Sequence, residues 1–292
     1  MFSLEPLNKE LPNFNWYPSL KCNFRCSYCY MLKELDNTKI LDNNKLKDFY
    51  EFLKRQGNIK LTVLGGEPLL VPNIDNIIYD IQNLGNVKLG ITTNGSLLHK
   101  FKFNNIILDV SIHLEYLTAS YLQNLKIGVN NNLNNNLTIS INVTPSSDKN
   151  IINNIIDELK DFKDLISFNQ LTIDDKRDPI DFKEFNHTFD LNYDIPYKLN
   201  NKIIDYNKVI DIYNKFNNNF SGCFCDLDCY DIEYDYSIKR ACINKIVGNI
   251  YDFDIHKMKP IVCDNKFCDI CCFDNIKKTF FKKQHIEVLK EI

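Results

Sequence analysis

The sequence predicts an α/β protein: a partial (β/α)6 barrel of the TIM type with a small cysteine-rich C-terminal extension. Six apolar runs rich in Ile, Val and Leu have the near-continuous pattern of strands buried on both faces. Segments of helical periodicity separate these runs, and such alternation implies parallel strands joined by right-handed crossovers. A concentration of cysteines near the C-terminus predicts the extension. An open doubly wound sheet is the alternative to the barrel.

The elements follow one another along the chain. The predicted strands are residues 16–20, 60–64, 87–92, 106–112, 137–143 and 165–173. Helical spacing is clearest in three groups of apolar residues: Leu46, Phe49, Tyr50 and Leu53; Ile74, Ile77, Ile78 and Ile81; and Ile151, Ile152, Ile155, Ile156 and Leu159. We predict a surface loop at residues 130–136 and a connection over the barrel mouth at residues 174–200. Two further helices are predicted at residues 201–216 and 284–292.

Composition and charge exclude several classes of protein. The net charge is −3, so no basic excess favours nucleic-acid binding. No run of about 18 apolar residues is present, and we therefore expect no membrane span. The first 14 residues contain Pro6 and Pro12 and lack the basic and apolar regions of a secretory signal, which favours a cytoplasmic location.

The eleven cysteines divide the chain into segments. Three lie at 22–29, eight lie at 223–272, and none lies between. In a reducing compartment, clustered cysteines are more often metal ligands than disulfides. We expect an N-terminal extension at 1–14, the barrel at 15–173, a connecting segment with a helix at 174–220, and a cysteine-rich segment at 221–292.

Cys22, Cys26 and Cys29 have the spacing C-x3-C-x2-C directly after the first predicted strand. Three thiolates in one loop suffice for three irons of a [4Fe–4S] cluster and leave the fourth iron open to a small molecule, whereas electron carriers usually supply four cysteines. A zinc site is the alternative, although zinc takes a fourth nearby ligand and usually pairs two-residue spacings.

Residues 22–30, CNFRCSYCY, closely resemble the cluster motif of the radical S-adenosylmethionine (SAM) enzymes. Three further strings follow in the family's order, each at the end of a predicted strand. Residues 65–68 resemble its GGEP motif, 92–95 its TTNG run, and 111–113 (SIH) close the fourth strand at a position that the family uses near the ribose. Each string is weak alone, but the ordered set is specific and covers residues 15–173.

The resemblance implies that Cys22, Cys26 and Cys29 bind a [4Fe–4S] cluster whose open iron is chelated by SAM. One electron from the reduced cluster would cleave SAM to methionine and a 5′-deoxyadenosyl radical, which abstracts hydrogen from a substrate. The other residues implied at the cofactor site are Tyr28, Gly65, Gly66, Glu67, Pro68, Thr93, Asn94, Ser111 and His113.

Several of these residues also have a purely structural interpretation. Tyr28 matches the aromatic residue that packs against adenine, or is an ordinary core aromatic. The glycines allow the backbone to approach the methionine end closely, and Glu67 either steers the amino group or fixes the turn. Asn94 either contacts the cofactor or stabilises a turn, and His113 either contacts the ligand or packs at a strand end.

The C-terminal cysteines resemble the SPASM and twitch extensions of peptide-modifying radical SAM enzymes, with Ser237 where that motif has glycine. The resemblance implies one auxiliary [4Fe–4S] cluster held by Cys225, Cys242 and two of Cys263, Cys268 and Cys271. A second cluster is the larger alternative, since Cys223, Cys229 and Cys272 are spare. A structural zinc site is the other alternative.

The leading hypothesis is a radical SAM enzyme that acts on a peptide or protein side chain and receives electrons from a flavodoxin- or ferredoxin-type reductant. A small-molecule substrate such as a sugar, nucleoside or cofactor precursor is the alternative, because one fold serves many reactions. A non-catalytic iron–sulfur carrier and a zinc-binding module are further alternatives. The GGEP and TTNG strings count against a carrier, which needs no SAM pocket.

Overall fold

The computed structural model describes residues 2–6, 11–144, 146–171, 197–216, 221–241, 245–262, 276–280 and 289. They form a mixed α/β fold with two sheets. The strands are β1 (Phe2–Pro6), β2 (Asn13–Trp16), β3 (Ile59–Val63), β4 (Val87–Thr93), β5 (Ile107–His113), β6 (Asn136–Val143), β7 (Ile166–Gln170), β8 (Tyr197–Leu199), β9 (Lys202–Ile204), β10 (Phe224–Leu227), β11 (Cys229–Ile232), β12 (Ser237–Arg240), β13 (Lys245–Asn249), β14 (Ile261–Val262) and β15 (Ile276–Phe280). The helices are α1 (Leu46–Arg55), α2 (Ile74–Gln82), α3 (Ala119–Asn131), α4 (Lys149–Glu158) and α5 (Tyr206–Lys215).

Six parallel strands, β2 to β7 in sequence order, form the barrel part of the larger sheet and confirm the predicted fold class. The helices α1 to α4 lie in the connections between them. The first strand is the least well predicted, because it ends at Trp16 instead of beginning there. Pro18 has no N–H to continue a strand ladder, so the chain leaves the sheet before it.

The two faces of these strands differ in chemistry. Phe14 and Trp16 of β2 are fully buried against α1, with ring centroids 5.9 Å from Phe52 and 4.6 Å from Phe49, respectively. On β5, Val110 faces Leu125 of α3 across Gly95. Since strand side chains alternate, the intervening residues lie on the opposite, concave face of the sheet. That face carries polar side chains and is the interior of the barrel.

Part of the cysteine-rich segment joins the same sheet. Strand β11 pairs in parallel with β2, and β12 and β13 extend the sheet beyond it. The smaller sheet has the order β14-β10-β15-β1-β8-β9, so residues 2–6 pair with strands from the second half of the chain. Contacts distant in sequence therefore tie both ends of the described chain into sheets.

Three local predictions differ from the structure. Residues 202–204 form β9, and α5 starts only at Tyr206, after Asp205, whose side chain accepts a hydrogen bond from the Lys208 N–H at 2.8 Å. The tract 130–136 is more than a surface loop, because Asn132 is fully buried and bonds the backbone of Phe103, Phe101 and Gly128. The helix α3 was not predicted at all.

Within the described residues, no helix combines the length and apolar character needed to cross a bilayer. The predicted connection over the barrel mouth lies mostly outside the described residues, as does the predicted terminal helix at 284–292 apart from Leu289.

Candidate active site at the carboxyl ends of the barrel strands

Cys22, Cys26 and Cys29 lie in the loop that follows β2, at the carboxyl end of the sheet. Cys26 is buried, whereas Cys22 and Cys29 are half-buried. Burial raises the pKa of Cys22, and it raises the pKa of Cys26 to about 12, with the Glu115 carboxylate adding to the increase. Neutral thiols are thus favoured until a cation binds, as expected for cysteines that ligate a metal as thiolates.

The three thiols fit the donor set of an iron–sulfur cluster. The charge of Cys29 raises the pKa of both Cys22 and Cys26, and the charge of Cys22 also raises the pKa of Cys26, so the three thiols lie near one another. In the described part of the chain, no three Cys, His, Asp or Glu side chains gather closely enough to ligate a single metal ion. Cysteines of a [4Fe–4S] cluster bind separate irons, so the loop is compatible with such a cluster.

The GGEP turn after β3 supports the start of this loop. The N–H of Gly66 donates to Ser19 O at 3.0 Å, and that of Glu67 donates to Lys21 O at 2.8 Å. A Cβ on Gly65 would lie 2.5 Å from Ser19 O, and one on Gly66 would overlap Lys21 O. In this structure, the two glycines therefore allow close approach to the segment just before Cys22.

Glu67 is 1% exposed and joins the GGEP turn to the end of β4. Its carboxylate accepts hydrogen bonds from Leu69 N at 3.0 Å, Thr93 Oγ1 at 2.7 Å and Asn94 N at 2.8 Å. Burial raises its pKa, and these three donors oppose that shift. Pro68, buried, follows as the first residue of a short 3-10 helix that Glu67 caps. The observed contacts of Glu67 thus fix the turn.

The TTNG turn after β4 holds the middle of the cysteine loop. Asn94 donates from Nδ2 to Oδ1 of Asn23 at 2.9 Å, while its own Oδ1 accepts from Ser96 N and Oγ. Asn23 donates in turn to Ser96 Oγ at 2.8 Å. Asn94 is buried, and its observed partners are protein groups. Sequence reasoning did not identify Asn23, although it lies between two of the cysteines.

The end of β5 holds the second half of the cysteine loop. Glu115 accepts from Ser27 N at 3.0 Å and from the Ser27 hydroxyl. Tyr116 stacks on Phe24 with ring centroids 4.0 Å apart, and its hydroxyl accepts from Arg25 N at 2.6 Å. Neither Glu115 nor Tyr116 was identified from the sequence. The only signal for them is their position directly after residues 111–113.

Tyr28 lines a pocket beside the loop and contacts His113 behind it. The Tyr28 hydroxyl lies 2.8 Å from His113 Nδ1, and the two rings stack with centroids 5.9 Å apart. Burial lowers the pKa of His113, which favours neutral imidazole, although Glu115 opposes the shift. The pocket has a volume of about 410 Å³ and is also lined by Glu115, Asn142 and Thr144. Ser111 lies one pleat deeper on β5, half-buried and in register with Ser140 of β6.

Of the C-terminal cysteines, Cys223, Cys225 and Cys229 are described. The sulfurs of Cys223 and Cys225 lie 3.6 Å apart, and Lys278 Nζ lies 3.8 Å from Cys225 Sγ. Cys229 lies on β11, with its sulfur 3.6 Å from Asn13 Nδ2. Cys242, Cys263, Cys268, Cys271 and Cys272 lie outside the described residues, so the predicted auxiliary ligand set stays a prediction.

Part of this chain is similar in sequence to one known family and to several known proteins. The sequence profile of the Radical SAM superfamily matches residues 16–134. A probable GTP 3′,8-cyclase of Methanococcus aeolicus is 33% identical over 119 residues, which is 38% of this chain and 39% of the relative. An S-adenosylmethionine-dependent nucleotide dehydratase of a Thermoplasmatales archaeon is 36% identical over 83 residues, which is 27% of each protein. This chain therefore spans about two fifths or less of the curated relatives it matches.

The structure of native anSMEcpe with bound AdoMet aligns with a TM-score of 0.52 and 15% identity, covering 85% of this chain and 81% of that one. This similarity supports the fold. The partial barrel, with three cysteines in the loop after its first strand, agrees with the family whose profile matches here. Residues 16–134 of this chain carry a Radical SAM superfamily domain, and that family implies a [4Fe–4S] cluster and SAM.

Proposed function

We propose that this protein is a radical SAM enzyme whose Cys22, Cys26 and Cys29 bind a [4Fe–4S] cluster. The observation that carries the proposal is the support of the cysteine loop by three successive strand ends, through Glu67, Asn94 and Glu115. A loop fixed in this way holds three thiols in place before any metal binds. Such preorganisation is what a site for a labile cofactor requires.

The pocket between Tyr28 and Thr144 is the proposed site for the adenosine part of SAM. It offers an aromatic ring, a carboxylate, an amide and hydroxyls, which suit a purine and a ribose. With both cofactors bound, the chemistry supplied is one-electron cleavage of SAM to methionine and a 5′-deoxyadenosyl radical, which removes hydrogen from the substrate. The residues of this chain bind the cofactors, orient them, and keep water away from the loop through the buried Phe24.

For the substrate we propose a peptide or protein side chain, which would enter the polar concave face of the sheet below the cysteine loop. The described strands place hydroxyl, amide and carboxylate groups on that face, and these suit hydrogen bonding to a peptide. A nucleotide is the second candidate, because the relatives similar in sequence are named a GTP 3′,8-cyclase and a nucleotide dehydratase.

An auxiliary cluster belongs to the same proposal. Cys225 is the described member of the proposed ligand set, together with Cys242 and two of Cys263, Cys268 and Cys271. The structure adds that Cys223 lies beside Cys225, which makes Cys223 a further candidate ligand. We propose a cytoplasmic enzyme that takes its electrons from a flavodoxin- or ferredoxin-type protein.

The test is to replace Cys22, Cys26 and Cys29 together by Ala and to measure 5′-deoxyadenosine after anaerobic reconstitution with iron and sulfide and reduction by dithionite. The wild-type protein should form 5′-deoxyadenosine from SAM, and the triple variant should form none. Cys229→Ala removes a buried cysteine outside the triad and should retain this activity. Formation of 5′-deoxyadenosine by the triple variant at the wild-type rate would overturn the proposal.

A further inference from the structure

Asp109 of β5 lies on the concave face of the sheet, and its side chain is half-buried. Its Oδ1 accepts a hydrogen bond from Ser140 Oγ at 2.7 Å, and Ser140 Oγ lies 3.1 Å from Ser167 Oγ on β7. These two hydroxyls hold one oxygen of the carboxylate in place. Among the described residues, no hydrogen bond joins Asp109 to a residue predicted at the cofactor site.

The carboxylate has no cationic partner in the described part of the chain. Burial raises its pKa, and the Ser140 hydroxyl is the single group there that opposes the shift. A carboxylate that is partly removed from water without a counter-charge reduces stability. Such groups occur preferentially at functional sites, where a ligand supplies the missing partner.

Asp109 also shares a strand with the candidate active site. Ser111 and His113 follow on the same face of β5, and His113 contacts Tyr28 in the cysteine loop. Four strand residues span about 13 Å, so Asp109 lies two pleats below the loop. Beside His113, Asn142 of β6 and Asn169 of β7 are also polar, and Asn169 Nδ2 donates to Asn142 Oδ1 at 2.9 Å. Asp109 therefore lies on the face proposed for the substrate, below the cysteine loop.

Charged side chains of both signs lie on this face. A second carboxylate, Asp231 of β11, lies on the same face and accepts from Asn15 Nδ2 at 2.9 Å. In the described barrel strands, the lysines on this face are Lys60 and Lys88, at the amino ends of β3 and β4, away from the cysteine loop. Lys239 is bound to Glu233 at 2.7 Å. The strand neighbours in register with Asp109 are Thr92 of β4 and Thr138 of β6, so neither adjacent strand places a cationic side chain beside its carboxylate.

We propose that Asp109 is a specificity-determining residue that binds a cationic group, an ammonium or guanidinium, of the substrate, with Ser140 positioning its carboxylate. This assignment rests on the proposed function and narrows its substrate class to peptides or small molecules that carry a positive charge. A bound cation would replace the counter-charge that the described residues do not provide. A nucleoside triphosphate would place its negative charges against Asp109 and Asp231.

The test measures binding directly by ligand-observed NMR on the reconstituted, SAM-loaded protein. The probes are N-acetyl-lysine amide, its uncharged analogue N-acetyl-norleucine amide, and GTP. The wild-type protein should bind the lysine probe at least tenfold more tightly than the norleucine probe. Asp109→Asn keeps the shape and should abolish that preference, and Ser140→Ala should weaken it about threefold. Asp157→Asn, on the exposed surface of α4, should leave it unchanged.

Two results would overturn the assignment: an unchanged preference for lysine in Asp109→Asn, or tighter binding of GTP than of the lysine probe to the wild-type protein. If Asp109→Asn does not fold, the test rests on Ser140→Ala. A Ser140→Ala variant that keeps the full preference for the lysine probe would overturn the proposal that Ser140 positions the Asp109 carboxylate for a cation. Failure of the proposed function is a separate result, since it would appear as absence of 5′-deoxyadenosine in the wild-type protein while these binding measurements remain possible.

Discussion

Nδ2 of Asn94 donates a hydrogen bond of 2.9 Å to Oδ1 of Asn23. The bond joins the carboxyl end of β4 to the loop between Cys22 and Cys26. Asn94 belongs to the TTNG turn, so in this structure the turn acts on the segment that carries the thiols. With Glu67 on one side and Glu115 on the other, this bond gives the cysteine loop a support at its centre.

Replacing Asn94 by Ala should loosen the cysteine loop. The variant loses the bond to Asn23 and the acceptor for Ser96, and we expect about 1–2 kcal/mol less unfolding free energy. In a double-mutant cycle with Asn23→Ala, the coupling should be about 1 kcal/mol. The measurements are denaturant unfolding and iron content after reconstitution, with the exposed Asn150→Ala on α4 as control. Strictly additive effects would show that the bond contributes nothing.

Gly66→Ala should displace the cysteine loop, because the new Cβ would overlap the backbone oxygen of Lys21. We expect a cost of about 3 kcal/mol and a large loss of bound iron. Gly85 provides the matched control, since its φ is +78° but a Cβ there would meet nothing within 4 Å. Gly85→Ala should cost about 1 kcal/mol through backbone strain and should retain its iron. Equal iron content in the two variants would contradict this account.

Asp109→Asn should stabilise the metal-free protein at neutral pH. Burial raises the pKa of Asp109 in the folded state, so ionisation there opposes folding. The stability tied to this group is fully present below the ordinary carboxyl pKa of about 4 and is lost as pH rises through the raised folded value. Melting curves at pH 4 and pH 8 measure the effect.

We expect the Asp109→Asn variant to melt about 2 °C or more above the wild type at pH 8 and close to it at pH 4. The opposite trend, with the variant less stable at pH 8, would mean that the ionised carboxylate is satisfied in the folded protein. That result would also remove the electrostatic reason for a bound cation.

The variant that lacks Cys22, Cys26 and Cys29 should still bind metal through its C-terminal cysteines. After anaerobic reconstitution we expect about four irons per chain with matching sulfide from one cluster, and about eight in the wild-type protein. Iron, sulfide and zinc analyses on the same samples distinguish an auxiliary iron–sulfur cluster from a zinc site. Stoichiometric zinc without sulfide in anaerobically purified protein would favour the structural zinc site in its place.

Adding Cys225→Ala to the triad variant should remove this remaining iron, since Cys225 is in the proposed ligand set and lies 3.6 Å from Cys223. Iron retained in full would exclude Cys225 as a necessary ligand.

Much of the barrel was predictable because its strands and helices carry local patterns. The apolar runs placed β3 to β6 within one residue at each end, and the amphipathic helices α1, α2 and α4 were found from their spacing. The helix α3 was missed because Ser120, Gly128 and several asparagines dilute its apolar face. The buried role of Asn132 was missed for a related reason. The Asn132 side chain forms hydrogen bonds with the backbone of Phe101 and Phe103, and these groups come close to it only after folding.

The sequence by itself determined the cysteine loop, the order of the motifs and the parallel barrel, because each is encoded by spacing or periodicity within a few residues. The tertiary structure alone decided which groups support that loop and that the half-buried carboxylate of Asp109 has no cationic partner among the described residues. Glu115 reaches Ser27 across 88 residues, and β11 joins β2 across more than 200. Such pairings depend on packing and register between distant segments, and no local pattern records them.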